Sequence, residues 1–511
     1  MIQVENSGSL CITYEQFDGK DQMRLSMSKA IKNLKNQWAQ MSLPAKASLA
    51  FLICSFFQRG ISTITTPIFT RLLTTEQYGY YNVFNSWLEV VSVFTTLKLG
   101  GGVFTQALVK YDKEREEFSA ATAGLGTTIS LVLYALYLPF RTIINEWIGM
   151  PTLIMTCIFA ASWATLMFEL WATRQRVDYR YKSLVALTVA TTIAKPLTGI
   201  AAIIIVPFEL KAQARIVSLV AVEIISYTWI FILFLRRGKT YYNKMYWKYS
   251  LSLNIPLIPH YLSRTILHQC DRIMIRSMVS YSSAGIYSLA YNLAMMLSLF
   301  TNALLHTFNP WMYQRIKAKE YHRIGKLSYA ILTIVAILGI GLISLAPEIV
   351  RIFAPAAYYE AIWVIPPVTA SVYFLFMYSL FANFEFYFEK PRFMAIASTS
   401  GGILNIVLNY FCIRAFGYIA AGYTTLACYM FFAIAHYFAM KKILKSHEDG
   451  IKVYNIGVIF GISAAFLAAA GIMMLTYNHF IIRYVIILLT LLIVFVKRKT
   501  IMGIIHEIRK K

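Results

Sequence analysis

The sequence predicts an all-α polytopic membrane protein of about 14 transmembrane helices, set out as two pseudo-symmetric six-helix lobes plus two extra C-terminal helices. Three observations carry that fold class. The chain is too apolar for water, its basic residues crowd alternate loops, and a sequence repeat returns after about 205 residues.

Of 511 residues, 58% are hydrophobic and 15% aromatic, and mean hydropathy is +0.57. Only 14% are charged, against about 25% in an ordinary soluble domain. These values exclude a soluble globular enzyme and a disordered chain. Cys11, Cys54, Cys157, Cys270, Cys412 and Cys428 are scattered singly, so neither a disulfide framework nor a zinc site is indicated.

A span needs about 20 largely apolar residues. Fourteen such runs lie near 47–70, 78–102, 118–139, 150–172, 182–206, 214–235, 249–277, 284–308, 327–347, 361–387, 393–413, 417–440, 454–476 and 480–496. The net charge is +24, and its placement sets the orientation. With the N-terminus in the cytoplasm, 35 of the 48 Lys+Arg fall in the eight cytoplasmic segments. Eight fall in outside loops: Arg71, Arg141, Lys211, Arg215, Arg276, Arg351, Arg414 and Arg483. Arg59, Lys98, Lys195, Arg264 and Arg272 remain inside the runs. This asymmetry follows the positive-inside rule and predicts an even number of spans with both termini cytoplasmic. The basic excess therefore reads as topology and contact with anionic lipid heads. No basic soluble domain is present to bind nucleic acid.

Residues 1–45 form a cytoplasmic segment without a cleavable signal peptide. Within it Met27–Leu43 reads as a basic amphipathic helix lying on the inner leaflet; residues 1–25 read equally well as a frayed leader. Residues 46–240 make the N-lobe with spans 1–6, and 241–445 the C-lobe with spans 7–12. Residues 446–511 hold spans 13–14 and a basic cytoplasmic tail.

The lobes rest on the repeat. Arg59, Arg71 and Gly79-Tyr-Tyr81 in the first half answer Arg264, Arg276 and Gly285-Ile-Tyr287 in the second. The arginines are offset by 205 residues and the Gly-x-Tyr triplets by 206. Six spans lie between the copies, so both point the same way. Such repeats recur in secondary transporters, whose substrate site lies between them near the midplane.

Charges inside a bilayer cost about 2.5–3.5 kcal/mol each on insertion scales, so they mark a cavity or a pair. In span 7, His260, Arg264, His268, Arg272 and Arg276 recur every four residues and form one slowly rotating stripe. Pro256 and Pro259 break the start of that helix. In span 1, Arg59, Ser62, Thr63 and Thr66 form a shorter polar stripe, and Lys195 lies mid-span in span 5. Against a cavity stand structural pairs: Arg59 with Glu89, Lys195 with Glu223, His268 with Asp271. Pooled, Arg59, Lys195, Arg264 and Arg272 outnumber Glu89, Glu223 and Asp271 by one. A water-filled, cationic cavity for a phosphate is therefore expected, with arginine supplying bidentate donors. His260 and His268 lack a third ligand, so no metal site is expected. The outside loops are short, and neither GxxxxGK[ST] nor HExxH is present. The chain reads as a conduit without catalytic residues or a cofactor, and not as a membrane glycosyltransferase or polymerase.

The stretch Phe57-Gln-Arg-Gly-Ile-Ser-Thr-Ile-Thr-Thr-Pro-Ile-Phe-Thr-Arg-Leu-Leu-Thr-Thr-Glu-Gln-Tyr-Gly-Tyr80 resembles the start of bacterial polysaccharide-export flippases. Asp271-Arg-Ile-Met-Ile275, followed by Ala284-Gly-Ile-Tyr-Ser-Leu-Ala-Tyr291, is similar to a pattern shared more widely among them. These are the oligosaccharide-flippase (Wzx-type) members of the superfamily that also holds multidrug exporters and the lipid II flippase. The resemblance covers essentially the whole length. It implies translocation of an undecaprenyl-diphosphate-linked oligosaccharide across the bacterial cytoplasmic (inner) membrane by alternating access, for capsule, O-antigen or cell-wall polysaccharide export. It implies membrane lipids, a polysaccharide polymerase and a co-polymerase as partners. No substrate residue transfers from the family. Arg59, Lys195, Arg264, Arg272, His260 and His268 are therefore substrate-binding candidates on membrane physics alone. Coupling to H+ or Na+ through Glu89, Glu223 or Asp271 stays open. Two other functions stay open beside this one. A lipid II-type peptidoglycan precursor flippase shares the phosphate handle. A multidrug exporter would favour twelve spans and an acidic cavity.

Overall fold

The computed structural model describes residues 40–448 and 450–496, and every regular element among them is helical. The first half holds α1 (Leu43–Leu72), α2 (Thr75–Thr96), α3 (Gly102–Lys110), α4 (Arg115–Tyr137), α5 (Arg141–Ile148), α6 (Thr152–Val177), α7 (Tyr181–Ile205), α8 (Lys211–Gly238) and α9 (Lys244–Asn254). The second holds α10 (Ile258–Met278), α11 (Tyr281–Ala294), α12 (Leu297–Lys317), α13 (Tyr321–Ser344), α14 (Ala346–Phe353), α15 (Ile365–Tyr387), α16 (Pro391–Phe416) and α17 (Ala420–His447). Two more follow, α18 (Ile456–Leu475) and α19 (Phe480–Val496). Nearly all of the expected amphipathic helix at 27–43, and the tail after 496, lie outside the described residues.

Each of the fourteen apolar runs coincides with a long helix or, for the eighth, with α11 and α12 in series. The seventh run starts later than its hydropathy, because Pro256 and Pro259 end α9 and restart the chain as α10 through a 3-10 turn at Ile255–Leu257. Among the described residues, ten helices are long and apolar enough to cross a membrane on their own. The four remaining are α2, α10, α16 and the described part of α19. Three of these pack in series: α2 on α10 and α11, and α10 on α16. Of them α2 and α10 face protein and a cavity, so they tolerate polar side chains that lipid would not, whereas α16 turns Ile403 and Phe411 outward.

The repeat reappears as geometry. Thr74 caps α2, accepting from the Gln77 amide at 3.1 Å, and Ser280 caps α11, accepting from the Ser283 amide at 3.0 Å. One turn on, Gly79 and Gly285 bring the two helices into backbone contact. A Cβ on Gly79 would stand 1.8 Å from the Tyr281 carbonyl oxygen, and one on Gly285 would stand 2.2 Å from that of Thr75. Small residues allow such crossings, and the two contacts are mirror copies at the same repeat positions. Around them the halves are stitched together. Thr75 and Ser282 hydroxyls meet at 2.7 Å, Thr70 donates to the Phe353 carbonyl at 2.6 Å, Arg71 to that of Ile352 at 2.9 Å, and Tyr281 to that of Gly149 at 2.6 Å.

All these contacts sit at one end of the bundle. There a single apolar cluster joins residues of both halves, such as Phe69, Tyr78 and Trp87 with Ile275, Tyr287 and Tyr358. Towards the other end the core divides. One cluster holds only first-half residues, including Phe104, Phe118, Trp171 and Tyr246 of α9. Another holds only later residues, including Phe308, Tyr373 and Phe466 of α18. The halves are fused at the end with few basic loop residues and parted at the basic end.

Cysteines placed at Thr75 and Ser282, in a background without the native ones, should crosslink readily. Gly79→Ala should cut that crosslink several-fold, although Ala favours helix by about 1 kcal/mol over Gly. Undiminished crosslinking would mean that the crossing accepts a Cβ.

Candidate functional site

The parted halves enclose three adjoining hollows. On the first-half side lies one of about 450 Å³, lined by Ser62 and Thr66 of α1, Tyr81, Asn82 and Asn85 of α2, Lys195 of α7, Arg215 of α8, Gln269 and Arg272 of α10, and Asn292 of α11. On the second-half side lies one of about 470 Å³, lined by Arg59, His260, Arg264, His268, Tyr378 and His436 among others. A neck of about 120 Å³ shares Ser62, Thr66 and Asn292 with the first and Arg59 and Met295 with the second. All six basic candidates from the sequence thus line one continuous gap, although they divide between its two sides.

The division follows from helix geometry. Four residues advance a helix about 40° beyond one turn, so the α10 stripe drifts round its axis. His260, Arg264 and His268 face the second-half hollow, Arg272 faces the other, and Arg276 reaches the sealed end. There its guanidinium lies 5.0 Å from the Tyr281 ring and against Gly149.

Arg59 and Arg264 are exposed to the gap, and among the described residues neither meets a carboxylate. The pair of Arg59 with Glu89 does not form. Glu89 points to Lys98, at 3.9 Å, because the α2 register turns it away from α1. Lys195 does pair: Glu223 of the neighbouring α8 accepts its ammonium at 2.6 Å. Glu223 is 8% exposed on its side chain and Lys195 29%, so the carboxylate depends on that partner. Lys195 is therefore not a free cation, which corrects the even pooling of the four basic groups.

Asp271 does not neutralise His268. It points away from the gap, where Tyr287 donates at 2.5 Å, Asn409 at 2.7 Å and Thr425 at 2.8 Å. Asn405 adds a longer contact at 3.4 Å. These donors come from α11 and, far along the chain, from α16 and α17. His268 instead meets the Tyr291 hydroxyl at 3.3 Å. Arg272 is buried; it donates to the His268 carbonyl at 2.7 Å and to Gln269 at 3.0 Å, and lies 4.4 Å over the Tyr291 ring. Among the described residues no three His, Cys, Asp or Glu side chains converge on a metal position.

Two arginines assigned to loops lie inside the bundle. Arg483 starts α19 and pairs with Glu348. Arg215 is 8% exposed, with its guanidinium 3.6 Å from the Phe69 ring and 3.5 Å from that of Tyr81. Its place as second residue of the run at 214–235 was the available signal, since an arginine there is within the apolar stretch.

A family model described as "Polysaccharide biosynthesis protein" matches residues 45–316, from α1 to the end of α12. The chain belongs to that family. Lsg locus putative protein 1 of Haemophilus influenzae is 22% identical to this polysaccharide biosynthesis family protein over 381 residues, 71% of this chain and 89% of its own. Probable low-salt glycan biosynthesis flippase Agl15 of Haloferax volcanii is 22% identical over 445 residues, 82% and 89%. Lipid II flippase MurJ in an inward closed conformation superposes with a TM-score of 0.68 at 16% identity, over 89% of this chain and all of that one. At such identity the likeness shows a shared fold, and it continues past residue 316 through the helices that the family model leaves out.

In this family member, Lys195→Met should strand the buried Glu223 and lower stability by up to about 3 kcal/mol. Adding Glu223→Gln should recover most of the loss. Thermal unfolding in detergent checks both, and a double variant as unstable as the single would refute the coupling.

Proposed function

We propose that the protein is a flippase that moves an undecaprenyl-diphosphate-linked oligosaccharide across the bacterial cytoplasmic membrane for polysaccharide export. The carrying observation is the gap that opens at the basic end and holds Arg59 and Arg264 free of carboxylates. Membership of the polysaccharide biosynthesis family and the Agl15 likeness support the substrate class.

The diphosphate of such a lipid is dianionic or nearly so, and two guanidiniums offer it paired N–H donors. Its isoprenoid chain stays in hydrocarbon while the glycan, too polar for the bilayer, takes the wet gap. Parting of α2 from α11 and closure of the basic end would then present the glycan outside. Both termini are cytoplasmic in this reading, and a polymerase with its co-polymerase receives the product. A cation exporter would need an acidic gap, and Arg59 and Arg264 oppose it. A lipid II-type precursor shares the diphosphate and differs only in its sugars.

Of the three carboxylates considered for ion coupling, Glu223 is engaged with Lys195 and Glu89 is largely exposed. Asp271 is buried among side chains whose oxygens can also turn to a cation. It is the group through which H+ or Na+ would act.

Arg59→Ala or Arg264→Ala should abolish surface glycan while the protein still inserts at normal levels, and Lys at either position should restore part of it. Wild-type export from both Ala variants would discard the phosphate handle. Asp271→Asn should remove the dependence of transport in proteoliposomes on a sodium or pH gradient. A variant that keeps the wild-type gradient response would exclude Asp271 from coupling.

A further inference from the structure

We propose that the first-half hollow is a second anion subsite, built for a carboxylated sugar within the transported glycan; this rests on the transport reading above. Arg215 carries the argument. Its guanidinium is buried, is pressed between the Phe69 and Tyr81 rings, and lines the hollow. Its Nη1 meets no hydrogen-bonding group of the protein, and no carboxylate of the described residues pairs with it. Stacking on aromatic faces recovers part of the lost hydration of such a group, but leaves Nη1 without an acceptor. A buried guanidinium in that state is prepared for an anion.

Only part of the charge around it is spent elsewhere. Lys195 is neutralised by Glu223, whereas Arg272 keeps its charge on a carbonyl and an amide oxygen. Two guanidiniums therefore belong to this hollow, apart from Arg59 and Arg264 beyond the neck. One diphosphate can occupy one of the two pairs.

Depth separates the pairs as well. Arg264 lies six residues from the basic-end start of α10, and Arg272 lies fourteen. Arg215 lies four residues from the sealed-end start of α8. A molecule with its phosphates at Arg59 and Arg264 would extend its sugars towards Arg215. The lining suits sugars: the amides of Asn82, Asn85, Gln269 and Asn292 both donate and accept, as hydroxyls require. A guanidinium clamped by two rings presents a fixed fork, and a planar carboxylate matches that fork in bidentate fashion.

The test uses the full-length protein in nanodiscs and two probes. One is undecaprenyl diphosphate carrying N-acetylglucosamine and glucuronic acid; the other carries N-acetylglucosamine and glucose. The wild type should bind the acidic probe at least tenfold more tightly. Arg215→Gln should reduce that ratio to within twofold, and Arg215→Lys should keep an intermediate one. The wild-type ratio needs no substitution, so a variant that misfolds leaves the test intact. Equal wild-type affinity for the two probes overturns the subsite while leaving the transport reading in place. A wild-type preference that Arg215→Gln does not diminish also overturns it, as does an equal loss for both probes, which would put the diphosphate at Arg215. Binding of neither probe overturns the transport reading and the subsite with it.

Discussion

The structure depends on one close crossing. Where α2 and α11 meet, peptide groups replace side chains as the contacting surface, because Gly79 and Gly285 leave no Cβ between them. That crossing brings the two halves together at one end only. Helices diverging from a single contact open a wedge, and the division of the apolar core into one shared and two separate clusters is that wedge expressed in burial. The same end also carries the apolar cluster that the two halves share, so backbone contact and buried side chains hold it together.

The wedge explains how the membrane accommodates its cations. An arginine or lysine in hydrocarbon must be paired or hydrated, and both solutions occur here side by side. Lys195 takes a carboxylate within the first half, and Arg483 of α19 takes one from α14. Arg59 and Arg264 take the open gap, and Arg272 takes carbonyl and amide oxygens with an aromatic face. The choice correlates with depth. Groups near the open end remain wet, and those approaching the seal acquire protein partners.

Much of the scaffold was legible in the sequence because hydropathy and loop charge act locally. Fourteen runs became fourteen crossings, and the Gly-x-Tyr repeat marked the crossing itself, although as a sequence signal it pointed only to symmetry. The site was less legible, for a physical reason. Whether Lys195 is free or paired depends on the relative rotation of α7 and α8, which no local pattern encodes. The partners of Asp271 come from α16 and α17, well over a hundred residues away. Arg215 was hidden by its nearness to a helix end, where snorkelling to water is the ordinary fate of an arginine. Here aromatic rings hold it inward instead.

The repeat also shows how two similar halves come to do different work. Tyr81 and Tyr287 occupy the same place in the two copies, two residues past the crossing glycines. In the first half the tyrosine ring is a face for a cation, Arg215. In the second its hydroxyl is a donor to an anion, Asp271. One side chain type at one symmetric position thus stabilises opposite charges in the two halves, using the π face in one and the polar edge in the other. The halves share a backbone frame, and their electrostatics diverge at the first turn beyond the seal. The two halves therefore face each other with different electrostatics: one presents a guanidinium held on aromatic faces, and the other keeps its carboxylate internal.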